Sequence, residues 1–377
     1  MFLRKKRFHR LFLCVLGALV ITQIVVFSPS SLDENKSEIG PIDPLLLTQN
    51  VSPNNEKTLA PGIPKNRIPE YRVDQFRYVS VQNGLKQWRI KAETAFLYNP
   101  EKLNHSRIVT AYLYDSGDGD QVTIVKGLEA KYLLNEKDLE VFGNVETLFP
   151  DGFEVHSDYM RYHPSEHHIE IPTHYPVTGV SHEATGQKFS FASSGLDYIL
   201  GESMITLPQA VTVILQGSAA QPPVNSGVPE MTKIESDHCL IFRKLKLAQF
   251  TMNPHRPLQT RFVHITQPTL FARSRRADLN YGDFSQVLQY LTAYDDVLIK
   301  EVTDKLSRNP IKDKKPVLRY ATGGRADFDT QRDLITLTQF PQSYQNEDTV
   351  TGDQIIMHRD TDLIEVEHSN AFSQGLD

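Results

Sequence analysis

The sequence predicts a mainly β protein, an antiparallel sandwich laid out in two blocks behind one N-terminal membrane-spanning helix. Three observations carry that expectation: an apolar run that follows a basic tail, period-two alternation through most of the remaining chain, and a degenerate repeat the size of a β-hairpin.

The tail comes first. Arg4, Lys5, Lys6, Arg7 and Arg10 lie within residues 1–10, and residues 11–27 follow without a charge, with only Thr22 and Gln23 polar. A helix needs roughly 17 to 25 such residues to cross a hydrocarbon core of ~30 Å. The basic cluster belongs on the cytoplasmic side and the first acidic residue, Asp33, lies beyond the other end. A cleaved signal peptide is the rival reading. Its apolar stretch is typically about 7 to 15 residues, shorter than this one. The nearest approach to a cleavage site, Phe27-Ser28-Pro29-Ser30, has a proline in its middle. An uncleaved anchor is therefore expected. Phe12 and Leu13 precede Cys14, where a lipidated cysteine would need small residues.

The chain has 377 residues, a formal net charge of −6 and two cysteines. Cys14 in the membrane run and Cys239 far downstream cannot pair within one chain, so the exported part relies on core burial rather than disulfides. Without the five basic tail residues that part is more acidic still. It is a poor candidate for nucleic acid or for lying flat on an anionic bilayer.

Residues 28–70 are rich in proline, asparagine and serine and read as an extended tether. A second break at 216–230 (QGSAAQPPVNSGVPE) divides the remainder into blocks 71–215 and 231–377. Within them alternation dominates. Trp88, Ile90 and Ala92 share one face of a strand. Leu139, Val141, Gly143 and Val145 share another, with Phe142 as the exception. Phe153, Val155 and Tyr159 oppose Glu154, His156 and Asp158. One-sided strands of this kind belong to antiparallel sheets. The stretch DFSQVLQYLTAY (283–294) also fits helical spacing, but the repeat favours two strands there.

The repeat is a small residue, a polar one, an apolar one, a polar turn, then Leu-x-Leu/Val. It begins at Ala130, Ser157, Ser236, Ala277, Ala326 and Gly352, with Ala130 and Ser157 27 positions apart and Ala326 and Gly352 26 apart. Each copy is one hairpin that cannot bury its apolar face alone; stacked copies can.

The anchor, the tether, the Trp88-x-Ile90-x-Ala92 strand, LEVFGNV (139–145) and PVTG (176–179) resemble the LptC family, the bitopic component of lipopolysaccharide export. The A/S-D-x units of the second block resemble LptA/OstA-type domains of the same system. The resemblance implies two β-jellyrolls of the open LptA/OstA type, a bacterial inner-membrane location with the bulk in the periplasm, and passive lipopolysaccharide transport. It also implies partners: an LptB/LptF/LptG-type ABC transporter, and an LptA-type or LptD-type bridge protein. The chain departs from the family in carrying a second block, which either replaces a separate LptA or extends the platform on which one docks.

No enzymatic chemistry stands out. There is no GxxxxGK[ST], GxSxG or HExxH. The acidic stretch 115–120 (DSGDGD) reads as a turn rather than a calcium loop. Six of the thirteen histidines fall between His156 and His182 without metal-ligand spacing, so neither metal nor cofactor is expected. The sequons at Asn35, Asn50 and Asn104 carry no meaning in a bacterial host. The candidate lipid-lining residues are Trp88, Ile90, Tyr132, Leu139, Val141, Val145, Phe153, Val155, Tyr159 and Val177 in the first block. Phe328, Ile355 and Met357 are those of the second. Ordinary core is the competing reading for each. At the level of the whole chain, the alternatives to lipid carriage are a membrane-anchored polysaccharide enzyme and a structural scaffold. The enzyme would need convergent carboxylates about 5 to 9.5 Å apart, whereas the acidic residues here fall in turns and on outer positions.

Overall fold

A computed structural model describes residues 58–373 apart from 65–66, 83–84, 115–121, 151, 183–187, 217–230, 281–289, 304–316, 330–331, 346–347, 360 and 362. The basic tail, the anchor run 11–27, most of the tether, the acidic turn 115–120, the linker beyond Gln216 and the segment around Phe284 lie outside the described residues. Among the described residues no helix is long and apolar enough to cross a membrane.

Those residues are nearly all antiparallel β structure, as the alternation implies. The first eight strands are β1 (Tyr71–Gln82), β2 (Leu85–Tyr98), β3 (Leu103–Tyr114), β4 (Val122–Leu133), β5 (Leu139–Leu148), β6 (Phe153–His163), β7 (His168–His182) and β8 (Lys188–Ile199). Each pairs with the next in the chain. Near mid-strand the register slips: between Lys126 and Glu129, Phe142 and Val145, His156 and Arg161, and Ile171 and Pro176. Residues at these slips adopt left-handed backbone, among them Ile108, Gly143, Asn144 and Gly195. Bulges bend strands and raise their twist. Aligned from strand to strand, they crease the sheet into two facing leaves.

Beyond β8 the leaves are carried by separate short strands. These are β9 (Met204–Leu207), β10 (Gln209–Gln216), β11 (Met231–Ser236), β12 (His238–Phe242), β13 (Leu247–Thr251), β14 (Val263–Thr266), β15 (Leu270–Ser274) and β16 (Arg276–Asn280). Leaf A runs β8–β9–β12–β13–β16 and leaf B runs β8–β10–β11–β14–β15. Both rejoin on the long strands β17 (Tyr290–Thr303) and β18 (Val317–Asp329), creased at Asp295 and Asp296. They part again into β19 (Leu334–Thr338), β20 (Gln342–Gln345), β21 (Asp348–Thr351), β22 (Gln354–His358), β23 (Ile364–Glu367) and β24 (Asn370–Ser373). Leaf A ends β18–β19–β22–β23 and leaf B ends β18–β20–β21–β24.

The two blocks of the sequence do not interrupt this plan. β10 and β11 flank the linker and pair in unbroken register from Val211↔Ser236 to Gln216↔Met231. One apolar cluster runs between the leaves from Trp88 to Met357, and residues 58–377 form one compact unit.

A strap crosses the outer face of leaf A. The backbone N–H groups of Leu59 and Ala60 both donate to Glu129 Oε2 at 3.0 Å, and His105 Nε2 lies 3.3 Å from the same oxygen. Gly143, at φ +75°, makes room for Leu59: a Cβ there would stand 2.4 Å from Leu59 Cδ1. Ala60 is buried against Phe142 and Tyr159 beneath the strap. That explains Phe142, the outward apolar exception in β5.

Candidate functional site

The facing leaves have a spine, where the bulges lie, and a mouth on the opposite side, where two rows of hairpin turns meet. Leaf A turns close with hydrogen bonds such as Lys102 N–H to Asn99 O at 3.1 Å and Lys246 N–H to Arg243 O at 3.2 Å. Lys102, Lys137, His167, Ser203, Lys246 and Asp333 take left-handed backbone at the end of such turns. A polar turn ending in one left-handed residue is a favoured short hairpin loop, which is why the repeat carries LNEKD and RD sequences there.

Between the leaves the side chains are almost wholly excluded from water. Trp88, Ile90, Leu139, Val141, Val145, Phe153, Val155, Val177, Phe328, Ile355 and Met357 all belong to the single core. Tyr132 packs against it half-buried. Burial, with Tyr78 alongside, pushes its phenol up to about 12, so it stays neutral and a hydrogen-bond donor.

Tyr159 does not share this face. The register slip in β6 inverts the alternation, so Met160 and Tyr162 turn inward, both fully buried, while Tyr159 turns outward. It meets Phe142 edge-on at 5.1 Å, stacks on Tyr175 at 4.9 Å and donates to Glu140 Oε1 at 3.3 Å. Burial raises its phenol pKa, with the Glu140 carboxylate adding to the rise. The expected grouping of Tyr159 with Phe153 and Val155 is thus corrected: a bulge residue between them shifts the phase by one.

Across the mouth the leaves touch at particular places. At the β1 end, Trp88 on leaf B meets Tyr132 on leaf A edge-on at 4.8 Å, with Tyr78 5.8 Å from Tyr132. Further along, Phe149 of a leaf B turn meets Tyr198 of leaf A at 4.8 Å. Arg243 lies over both rings at 5.7 and 5.8 Å and donates to the Tyr198 hydroxyl at 3.1 Å. Near the other end the closure is ionic. Arg359, in the leaf A turn after β22, places Nε 3.4 Å from Oε1 of Glu301, on leaf B. Glu301 Oε2 is 3.8 Å from Nη1 of Arg319 on the neighbouring strand. Arg359 is braced by Asp333 at 3.0 Å and by the Thr269 hydroxyl at 3.2 Å.

Sequence reasoning missed Phe149, Phe189, Phe191 and Tyr198, although KFSFASSGLDYI alternates clearly at its start. It missed the Glu301–Arg319–Arg359 cluster altogether, since three strand ends far apart in the chain leave no spacing to find. The histidines have mostly acidic neighbours: His163 lies 3.1 Å from Asp138 and 3.4 Å from Glu170, and His168 lies 3.3 Å from Asp197. Among the described residues no group of three or more His, Cys, Asp or Glu is placed to hold a metal ion.

The chain is similar to the crystal structure of LptH, the LptA homologous periplasmic component of the lipopolysaccharide transport device from Pseudomonas aeruginosa, at 12% identity. That similarity covers 38% of this chain and 95% of the other, with a TM-score of 0.30. No curated protein sequence matches the chain significantly. The family model for lipopolysaccharide assembly, LptC-related, matches residues 45–216, which reach from the tether to the last residue of β10. This N-terminal part of the chain therefore belongs to the LptC-related lipopolysaccharide-assembly family.

Proposed function

We propose that the protein carries lipopolysaccharide across the periplasm without chemical change, holding its acyl chains between the two leaves and its sugars outside the mouth. In this reading residues 11–27 anchor the chain in the bacterial inner membrane. An LptB/LptF/LptG-type ABC transporter loads it, and an LptA-type or LptD-type protein receives the lipid. The second block is then an LptA/OstA-like extension of the same conduit.

The observation that carries the reading is the single apolar interior from Trp88 to Met357, bordered along one side by turns that meet across the leaves through side chains such as Phe149 and Tyr198. Moving an acyl chain through water is opposed by about 0.8 kcal/mol per CH₂. An interior that parts along its mouth removes that barrier in small steps and binds no single position tightly. The ends of the leaves suit assembly: among the described residues β1 pairs only with β2, β23 only with β22, and β24 only with β21. Open edges of this kind accept further strands from a partner domain.

Photo-crosslinking residues introduced at Val155 and Ile355 in membranes should yield lipopolysaccharide adducts. Asp158, on the outer side of β6, should yield none. Absence of adducts at both inward positions, in a protein that folds and reaches the membrane, would sink the proposal.

A further inference from the structure

We infer that the outer face of leaf A carries a peptide site, built on Glu129, Phe142 and Tyr159, that holds the strap as a releasable ligand and so sets the reach of the membrane tether. The tether role rests on the anchor reading above; the site itself does not. The strap is recognised first by its backbone. Two successive N–H groups, of Leu59 and Ala60, converge on Glu129 Oε2, and Pro61 after them has none to offer. Side chains then fix the register. Ala60, 3% exposed, sits against Phe142 and Tyr159 where the two rings meet edge-on, a niche sized for a methyl group. Ile63 packs on the same cluster. Gly62, at φ +76°, turns the chain between them, and Gly143 leaves the space that Leu59 enters. The ligand class is therefore a short turned segment of the form Leu-Ala-Pro-Gly-Ile, which the chain itself supplies at 59–63.

The strap belongs to no strand and is held more lightly than the sheet beneath it. Among the described residues of 58–70, Ala60 alone is fully buried, while Leu59 and Ile68 are more than half exposed. Arg67 pairs with Glu101 on the surface, a kind of contact that contributes little. Segments with so few buried contacts open well below the free energy of global unfolding. The site they leave is held ready by other partners. His105 stays 3.3 Å from the Glu129 carboxylate, and Glu140 accepts from the Tyr159 hydroxyl at 3.3 Å and from Lys131 at 3.1 Å. The far end of the strap also stays put. The Glu70 N–H donates to Leu97 O at 3.0 Å, and β1 follows in register on β2. Release therefore lengthens the tether without loosening the sheet. Docked, the free link from the anchor run ends at Leu59; released, it ends at Tyr71, an added contour of about 40 Å.

The test uses the full chain in phosphatidylcholine nanodiscs, with hydrogen exchange mapped to peptides covering Leu59 and Ala60. These amides should exchange at least about tenfold more slowly than free chain and tenfold faster than the paired amides of β4 and β5. A synthetic peptide of residues 58–64, added at the millimolar effective concentration of a short link, should displace about half the strap and speed that exchange roughly tenfold or more. The same peptide carrying Ala60→Trp should have no effect. In the chain, Glu129→Ala should abolish the protection. With a dye on Leu245→Cys, an exposed site, in a Cys14→Ser background, it should also lower energy transfer to acceptor lipids. Ala60→Trp, which changes only the strap, gives a second variant should Glu129→Ala fold poorly. Protection equal to that of β4, no protection at all, or indifference to the peptide would each overturn the releasable site. Lost protection with unchanged energy transfer would overturn the tether role. A chain that does not stay with the nanodiscs would remove the anchor reading and the tether role together, while exchange still decides the site. Lipopolysaccharide adducts at Val155 should persist in both variants, so carriage stands or falls separately.

Discussion

The mouth is closed differently in its two halves. From β2 to β8 the leaves meet through rings, Trp88 on Tyr132 and Phe149 on Tyr198. Around β17 to β22 they meet through Glu301, Arg319 and Arg359. Ring contacts are broad and weakly directional, so they can part around an apolar chain and re-form without stranding a charge. A buried ion cluster behaves otherwise. Its members are costly to desolvate, contribute little net stability as a set, and are strongly destabilising when one is removed. Under the carriage proposed above, the first half would part around an apolar chain at lower cost than the second, whose opening would separate buried charges.

Three experiments break or sharpen that contrast. The largest effect should come from Trp88→Ala, which empties a fully buried site touching Tyr78 and Tyr132; a loss of about 4 kcal/mol is expected from denaturant unfolding. Next, Glu301→Gln leaves two buried guanidiniums facing an amide and should cost about 3 kcal/mol, whereas the joint change Glu301→Leu, Arg319→Met and Arg359→Met should recover most of that loss. If the joint variant is as unstable as the single one, the cluster is a structural keystone and the contrast between halves fails.

The smallest effect concerns the strap, a feature of the first half. Burial lowers the His105 pKa below its usual value, and Arg107 adds to this, while the charge and hydrogen bond of Glu129 oppose it. The unfolded chain therefore takes up the proton first as pH falls. The stability His105 contributes is fully present above about pH 6.5 and is lost as pH drops below that. Calorimetric midpoints should fall between pH 7 and pH 5, and His105→Gln should flatten the slope. An unchanged slope would detach His105 from the strap's stability.

Much of the core was legible from alternation alone. Trp88, Ile90 and Ala92 face inward as their spacing implies, and so do Leu139, Val141 and Val145. From DFSQVLQYLTAY the described part, from Tyr290 onward, is strand. The reading failed where a bulge intervened: Phe153 and Val155 are inward, yet Tyr159 is not, because local sequence does not announce the extra residue that shifts the phase. The Glu301 cluster was illegible for a different reason. Its members come from positions 301, 319 and 359, and only the stacking order of the strands brings their ends to one rim.

By itself, then, the sequence determined the β class, the hairpin turns and most of the inward face, since these follow from a period of two and from turn chemistry within a few residues. Only the tertiary structure decided the crease, the mouth, the continuity of the two blocks across the linker, and which charges meet inside. Those depend on register between strands and on bulges aligned from one strand to the next, which are properties of pairs and stacks rather than of any single segment.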